Sequence, residues 1–86
     1  MPEVSSFQGI RVTMYYNDHP PPHFHVRYGG QKAIVTIEAP ALWAGYFPSS
    51  QLNLVKEWAV RNQIALNENW ELARKQEKLK PISGLI

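Results

Sequence analysis

The chain has 86 residues, 44% of them hydrophobic, with no cysteine and a formal net charge of +2. That length holds one small domain, residues 1–86, around a single core, and the lack of cysteine excludes a disulfide framework and any thiolate-held zinc or iron–sulfur centre. The start Met1-Pro2-Glu3-Val4 has no basic then apolar leader, and no apolar run nears the ~20 residues of a membrane span, so a cytoplasmic protein without membrane contact is expected.

Ile10, Val12, Met14 and Tyr16 alternate with Arg11, Thr13 and Tyr15, the period-two pattern of a strand over about residues 8–16. Asn17-Asp18 is a turn pair, and Pro20-Pro21-Pro22 predicts an extended polyproline turn. Strands follow over 23–28 and 31–38, joined by Gly29-Gly30. Two glycines suit a type I′ turn, which needs positive φ at both central positions.

That loop sets a register in which Tyr28 opposes Gln31, Arg27 opposes Lys32, Val26 opposes Ala33, His25 opposes Ile34, Phe24 opposes Val35 and His23 opposes Thr36. Opposed residues share a sheet face. Phe24, Val26, Tyr28, Ala33, Val35 and Ile37 then form the core face, and the other face displays His23, His25, Arg27, Lys32, Thr36 and Glu38 around Ile34.

Residues 41–48 read as a connecting loop or short strand. Pro48-Ser49-Ser50 reads as a helix start with a serine N-cap. Leu52, Val55, Trp58 and Ala59 form one stripe of a helix over about 50–61. Asn62 is placed to cap a second helix over about 63–78, whose apolar face is Leu66, Trp70 and Ala73 and which Pro81 terminates. The fold expected is α+β: a three-stranded antiparallel sheet, with room for extra short strands, followed by two C-terminal helices packed on one face.

Chemistry concentrates in one place. All three histidines, His19, His23 and His25, lie within seven residues around the proline run, beside Asp18. Metal binding is one reading, since His23 and His25 share a strand face and His19 and Asp18 are near. Arg27 and Lys32 on that face would repel a cation, so neither a metal nor a cofactor is expected.

An anion or phosphate site is the second reading. Opposed cations are unfavourable unless something negative bridges them. His23 and His25 could then share acid and base roles in metal-independent RNA cleavage, with Arg27 or Lys32 stabilising the charged phosphate. The third reading is structural: the histidines hold the proline loop in shape or meet a partner. The basic residues Arg74, Lys75, Lys78 and Lys80 suit a solvated helix end. The chain has no Gly-rich phosphate loop, G-x-S-x-G elbow or H-E-x-x-H helix.

The run Met14-Tyr15-Tyr16-Asn17-Asp18-His19-Pro20-Pro21-Pro22-His23-Phe24-His25 closely resembles the signature of the bacterial domain-of-unknown-function 4160 family. The likeness continues through Tyr28-Gly29-Gly30, Lys32-Ala33, Leu54-Val55-Lys56-Glu57-Trp58 and Asn69-Trp70-Glu71-Leu72-Ala73. The resemblance implies a small stand-alone bacterial protein without an established activity. Its gene would belong to a two-gene cassette, often beside a small protein of the 2442 family, in an arrangement similar to toxin–antitoxin pairs. Family members frequently carry a basic residue where this chain has Ser50 and a histidine near Asn62, so any chemistry here must reside in the first-half segment.

The functional expectation is a component of such a pair. Asp18, His19, His23, His25, Arg27 and Lys32 would form a surface for RNA or for a protein partner encoded nearby. The alternative is a non-enzymatic partner-binding or regulatory module, and a homodimer is compatible with either.

Overall fold

The computed structural model describes residues 2–85. Its elements are β1 (Glu3–Phe7), β2 (Ile10–Thr13), β3 (His23–Tyr28), β4 (Gln31–Thr36), β5 (Leu42–Gly45), α1 (Ser49–Arg61) and α2 (Gln63–Arg74). The α+β class and the two C-terminal helices match the sequence expectation. The sheet has five strands rather than three, in the order β1-β2-β3-β4-β5, each antiparallel to the next. Among the described residues, no helix is long and apolar enough to cross a membrane.

The expected strand over 8–16 is shorter, Ile10–Thr13, and is preceded by β1, a strand the sequence reading did not include. Gln8 and Gly9 have φ of 49° and 79° and turn the chain, pairing Phe7 with Ile10. Positive φ at both central residues is the type I′ pattern. At the second hairpin only Gly29 is left-handed, with φ 57°, while Gly30 is not. That pattern matches type II′, not the type I′ turn expected there. Both leave the predicted β3–β4 register intact, from Tyr28↔Gln31 to His23↔Thr36.

The sheet face beneath the helices carries Val4, Phe7, Ile10, Val12, Phe24, Val26, Ala33 and Val35, all buried. Val55, Trp58 and Ala59 of α1 and Leu66, Trp70 and Ala73 of α2 complete the core. Trp58 is fully buried, with ring centroids 5.4 Å from Phe7 and 5.6 Å from Phe24. Side chains of this size contribute ~1.5–3 kcal/mol each on burial, so this layer carries most of the stability.

Helix boundaries differ from the sequence reading for identifiable reasons. Pro48, not a serine, takes the N-cap position of α1, and its carbonyl accepts from the Leu52 amide at 2.8 Å. Asn62 precedes α2 but makes no side-chain cap; its Nδ2 donates to the Trp58 carbonyl at 2.8 Å and closes α1 instead. Helix α2 stops at Arg74 rather than 78, because Gln76 is left-handed at φ 59°. The Gln76 amide donates to the Ala73 carbonyl at 3.1 Å and the Glu77 amide to the Leu72 carbonyl at 2.9 Å. Those two bonds are a Schellman closure, here built on glutamine instead of glycine.

The segment after α2 is packed, not free. Leu79 and Ile82 are buried, the Ile82 amide donates to the Val4 carbonyl at 2.7 Å, and Trp58 Nε1 donates to the Ser83 carbonyl at 2.8 Å. Asn69, 1% exposed on α2, holds Lys80 from both sides: Nδ2 donates to its carbonyl at 2.8 Å and Oδ1 accepts from its amide at 2.9 Å.

Candidate functional site: a histidine–aspartate cluster beside a row of cations

The loop between β2 and β3 brings Asp18 back over the start of β3. Asn17, left-handed at φ 57°, donates its amide to the Ala73 carbonyl at 3.3 Å and ties the loop to the end of α2. Asparagine tolerates that conformation better than most residues. The chain bends at Pro20 and Pro21, so the proline run is not the extended turn expected. The Pro21 carbonyl accepts from His23 Nδ1 at 2.7 Å.

Asp18 is the hub of the loop. Its Oδ1 accepts from the His19 amide at 3.0 Å, while Oδ2 stands 2.8 Å from His23 Nε2 and 3.3 Å from His25 Nε2. Burial pushes the carboxyl up. The hydrogen bond from His25, the charge of His23 and the bonds from the His19 amide and His23 outweigh that effect and hold it below its ordinary value.

His23 and His25 share a sheet face, as the register requires, but differ in depth. His25 is partly exposed and meets Tyr15 edge-on, ring centroids 4.4 Å apart. His23, expected on the displayed surface, is 2% exposed. Its ring lies 5.1 Å from Trp43 of β5 and 5.3 Å from Trp70 of α2, which close over it where the sheet meets the helix layer. Alternation assigns a face, but burial here comes from aromatics contributed by two other elements. His19 remains outside, its side chain 81% exposed and its Nδ1 3.3 Å from Asp18 Oδ1.

The predicted cations lie in a neighbouring row. Arg27 pairs with Lys32 on β4 and, on its other side, with Arg11 on β2. Three cationic residues therefore stand directly opposed across three strands on the face away from the helices. The next row joins Thr13, His25, Ile34 and Ala44. Together with Tyr15 these rows line an open cleft. Glu3, which also lines the cleft, places Oε1 3.7 Å from Arg11 Nε in a solvent-exposed pair.

Asp18, His23 and His25 thus form one cluster, and Arg27 and Lys32 belong to another in which His25 also takes part. Arg11 is a member that sequence reasoning missed. Its outward position in β2 was legible from the alternation, and carrying the register one strand further would have found it. Trp70, expected on the apolar face of the second helix, and Trp43 left no sequence signal of their place over His23.

A scan against protein families matches residues 9–71 to the domain of unknown function DUF4160, a span that includes β2 to β5, both clusters and all of α1. No curated protein and no solved structure matches the chain. With most of its length covered by the family match, including every residue of the histidine–proline segment, the chain belongs to the DUF4160 family.

Proposed function

We propose that the open face of the sheet binds single-stranded RNA, with Arg11, Arg27 and Lys32 contacting phosphates and Tyr15 and His25 meeting bases. The observation that carries this reading is the cross-strand row of three opposed cationic residues. Like charges placed directly opposite destabilise a sheet, and a phosphate chain laid along the row converts that repulsion into attraction. An extended strand fits the cleft better than a duplex does, because the aromatic groups beside the row can stack only on unpaired bases.

Binding is favoured over cleavage. Acid–base cleavage uses two imidazoles at the substrate, and His23 is buried with both ring nitrogens facing other groups, which leaves His25 as the histidine in the cleft. In a toxin–antitoxin-like pair of the kind the family resemblance implies, this face would be the RNA contact. A second reading, a surface for the protein partner, is favoured by the outer strand β5 and its border, where Leu42, Trp43 and Tyr46 are 41%, 44% and 63% exposed.

The test is titration of a short labelled single-stranded RNA at several salt concentrations. Three phosphate contacts give a log–log salt slope of about −2, or ~20-fold weaker binding from 50 to 200 mM salt. The combined Arg11→Ala, Arg27→Ala, Lys32→Ala variant should lose most of that slope. Equal affinity and slope in the variant and the wild type would overturn the proposal. Co-purification of an intact neighbour that survives this triple change but not Trp43→Ala would favour the partner reading.

A further inference from the structure

Asp18 Oδ2, His23 Nε2 and His25 Nε2 converge within 4.8 Å of one another. The opposite nitrogen of His23, Nδ1, stands 2.7 Å from the Pro21 carbonyl oxygen. A carbonyl oxygen only accepts, so Nδ1 bears a proton and donates it. Nε2 of the same ring then faces a carboxylate oxygen at 2.8 Å. Two lone pairs held at that distance need a positive centre between them, either a second proton on the ring or a metal ion.

We propose that this cluster binds one divalent first-row transition metal ion of the zinc class through Asp18 Oδ2, His23 Nε2 and His25 Nε2. The two separations from Asp18 suit such an ion, and the two Nε2 atoms, within 4.8 Å of each other, need to stand no more than about 4.2 Å apart to share it. With metal–ligand bonds of about 2.1 Å, separations of 2.8 and 3.3 Å from Oδ2 correspond to ligand–metal–ligand angles of about 84° and about 104°. Those angles lie near the octahedral and tetrahedral ideals. Protons on the two rings would serve the His23 and His25 contacts one at a time, whereas a metal engages Oδ2 and both Nε2 atoms through a single centre.

The surroundings have the features a metal-binding histidine requires. The Pro21 carbonyl fixes the tautomer and the ring plane of His23, and the His19 amide holds the second oxygen of Asp18. Trp43 and Trp70 wall the site on the His23 side. Two imidazoles and one carboxylate form a donor set used for zinc and iron(II), with at least one position left for water. Arg27 and Lys32, the sequence reason against a cation, are exposed and begin one pleat beyond His25, about 7 Å along the strand. There solvent and salt weaken their repulsion.

The site shares His25 with the proposed RNA face but includes none of the three cationic residues, and its test involves no RNA. The full chain, free of any histidine tag, is dialysed against buffered Zn²⁺, bound metal is counted by elemental analysis, and Co²⁺ absorption reports nitrogen ligation. The expected result is one zinc per chain, bound at least about tenfold more weakly by His25→Ala and by Asp18→Asn, and within about threefold of wild type by His19→Ala. Circular dichroism checks that the variants fold. Should they not, ring-proton shifts in the wild-type protein decide: Zn²⁺ must move the resonances of His23 and His25. No zinc uptake, equal affinity in His25→Ala and Asp18→Asn, or shifts confined to His19 would overturn the proposal.

Discussion

Gly45→Ala should unfasten β5 from the sheet, because Gly45 is left-handed at φ 85° and a Cβ there would collide with the Lys32 carbonyl oxygen and fall 2.9 Å from Ala33 Cα. Both are backbone atoms of β4, so no side-chain rotation relieves the clash. Left-handed backbone costs an alanine ~1–2 kcal/mol. Separating the strands also breaks the hydrogen bond from the Tyr46 amide to the Lys32 carbonyl, 3.1 Å long, at ~1 kcal/mol. The total is about 3 kcal/mol, a large share of the ~4–13 kcal/mol expected for a domain of this length.

Urea denaturation followed by circular dichroism measures that loss, and thermal melting should fall by roughly 12–24 °C. Gly30→Ala is the control. No atom lies within 4 Å of its built Cβ, and its φ is not left-handed. It should be neutral or more stable by up to about 1 kcal/mol. Wild-type stability in Gly45→Ala, or an equal loss in Gly30→Ala, would refute the reasoning.

Gln76→Gly should raise stability by about 1 kcal/mol in the same urea assay, since glutamine at φ 59° closes the α2 Schellman motif at a steric cost glycine avoids. Asn69→Ala should cost ~2–4 kcal/mol by leaving both the amide and the carbonyl of Lys80 unpaired, and amide exchange at Lys80 and Ile82 should quicken before that of the sheet. The depressed Asp18 carboxyl gives an acid limb of known sign: native Asp18 binds protons less readily than the unfolded chain. Its stabilisation is therefore complete above about pH 4–5 and is lost as pH falls through the lower native value. Melting temperatures from pH 6 to pH 3 in chelator should fall less steeply for Asp18→Asn than for wild type, and parallel curves would refute this.

The part of the fold legible in the sequence is the part governed by neighbours. Phe24, Val26, Ala33 and Val35 alternate cleanly about two glycines, so the β3–β4 register followed without tertiary information. The β1–β2 hairpin was hidden for two local reasons. Gln8-Gly9 lacks the asparagine or aspartate that usually marks a type I′ turn, and the register shift between Glu3 and Ser5 spoils the alternation of β1. The end of α2 was hidden because Gln76 occupies a position where glycine would have announced a stop.

The site divides in the same way. That His23 and His25 share a face follows from period two, but the burial of His23 depends on Trp43 and Trp70, which only the closed fold brings near. Asp18 was legible as a neighbour of the histidines. Its role as the common partner of both rings required the return path of the proline loop.

The segment after α2 also determines how this sheet can meet other chains. Ile82 is hydrogen-bonded to Val4, and Gly84 sits so tightly on Phe7 that a Cβ would come within 2.7 Å of it. One border of the sheet is thereby sealed by the chain itself, and β5 forms the other. A sheet with two open borders can add strands without limit, as fibres do. Here strand pairing can extend in one direction only. Two copies meeting through β5 would form a closed two-fold pair of ten strands, and both remaining borders would already be capped.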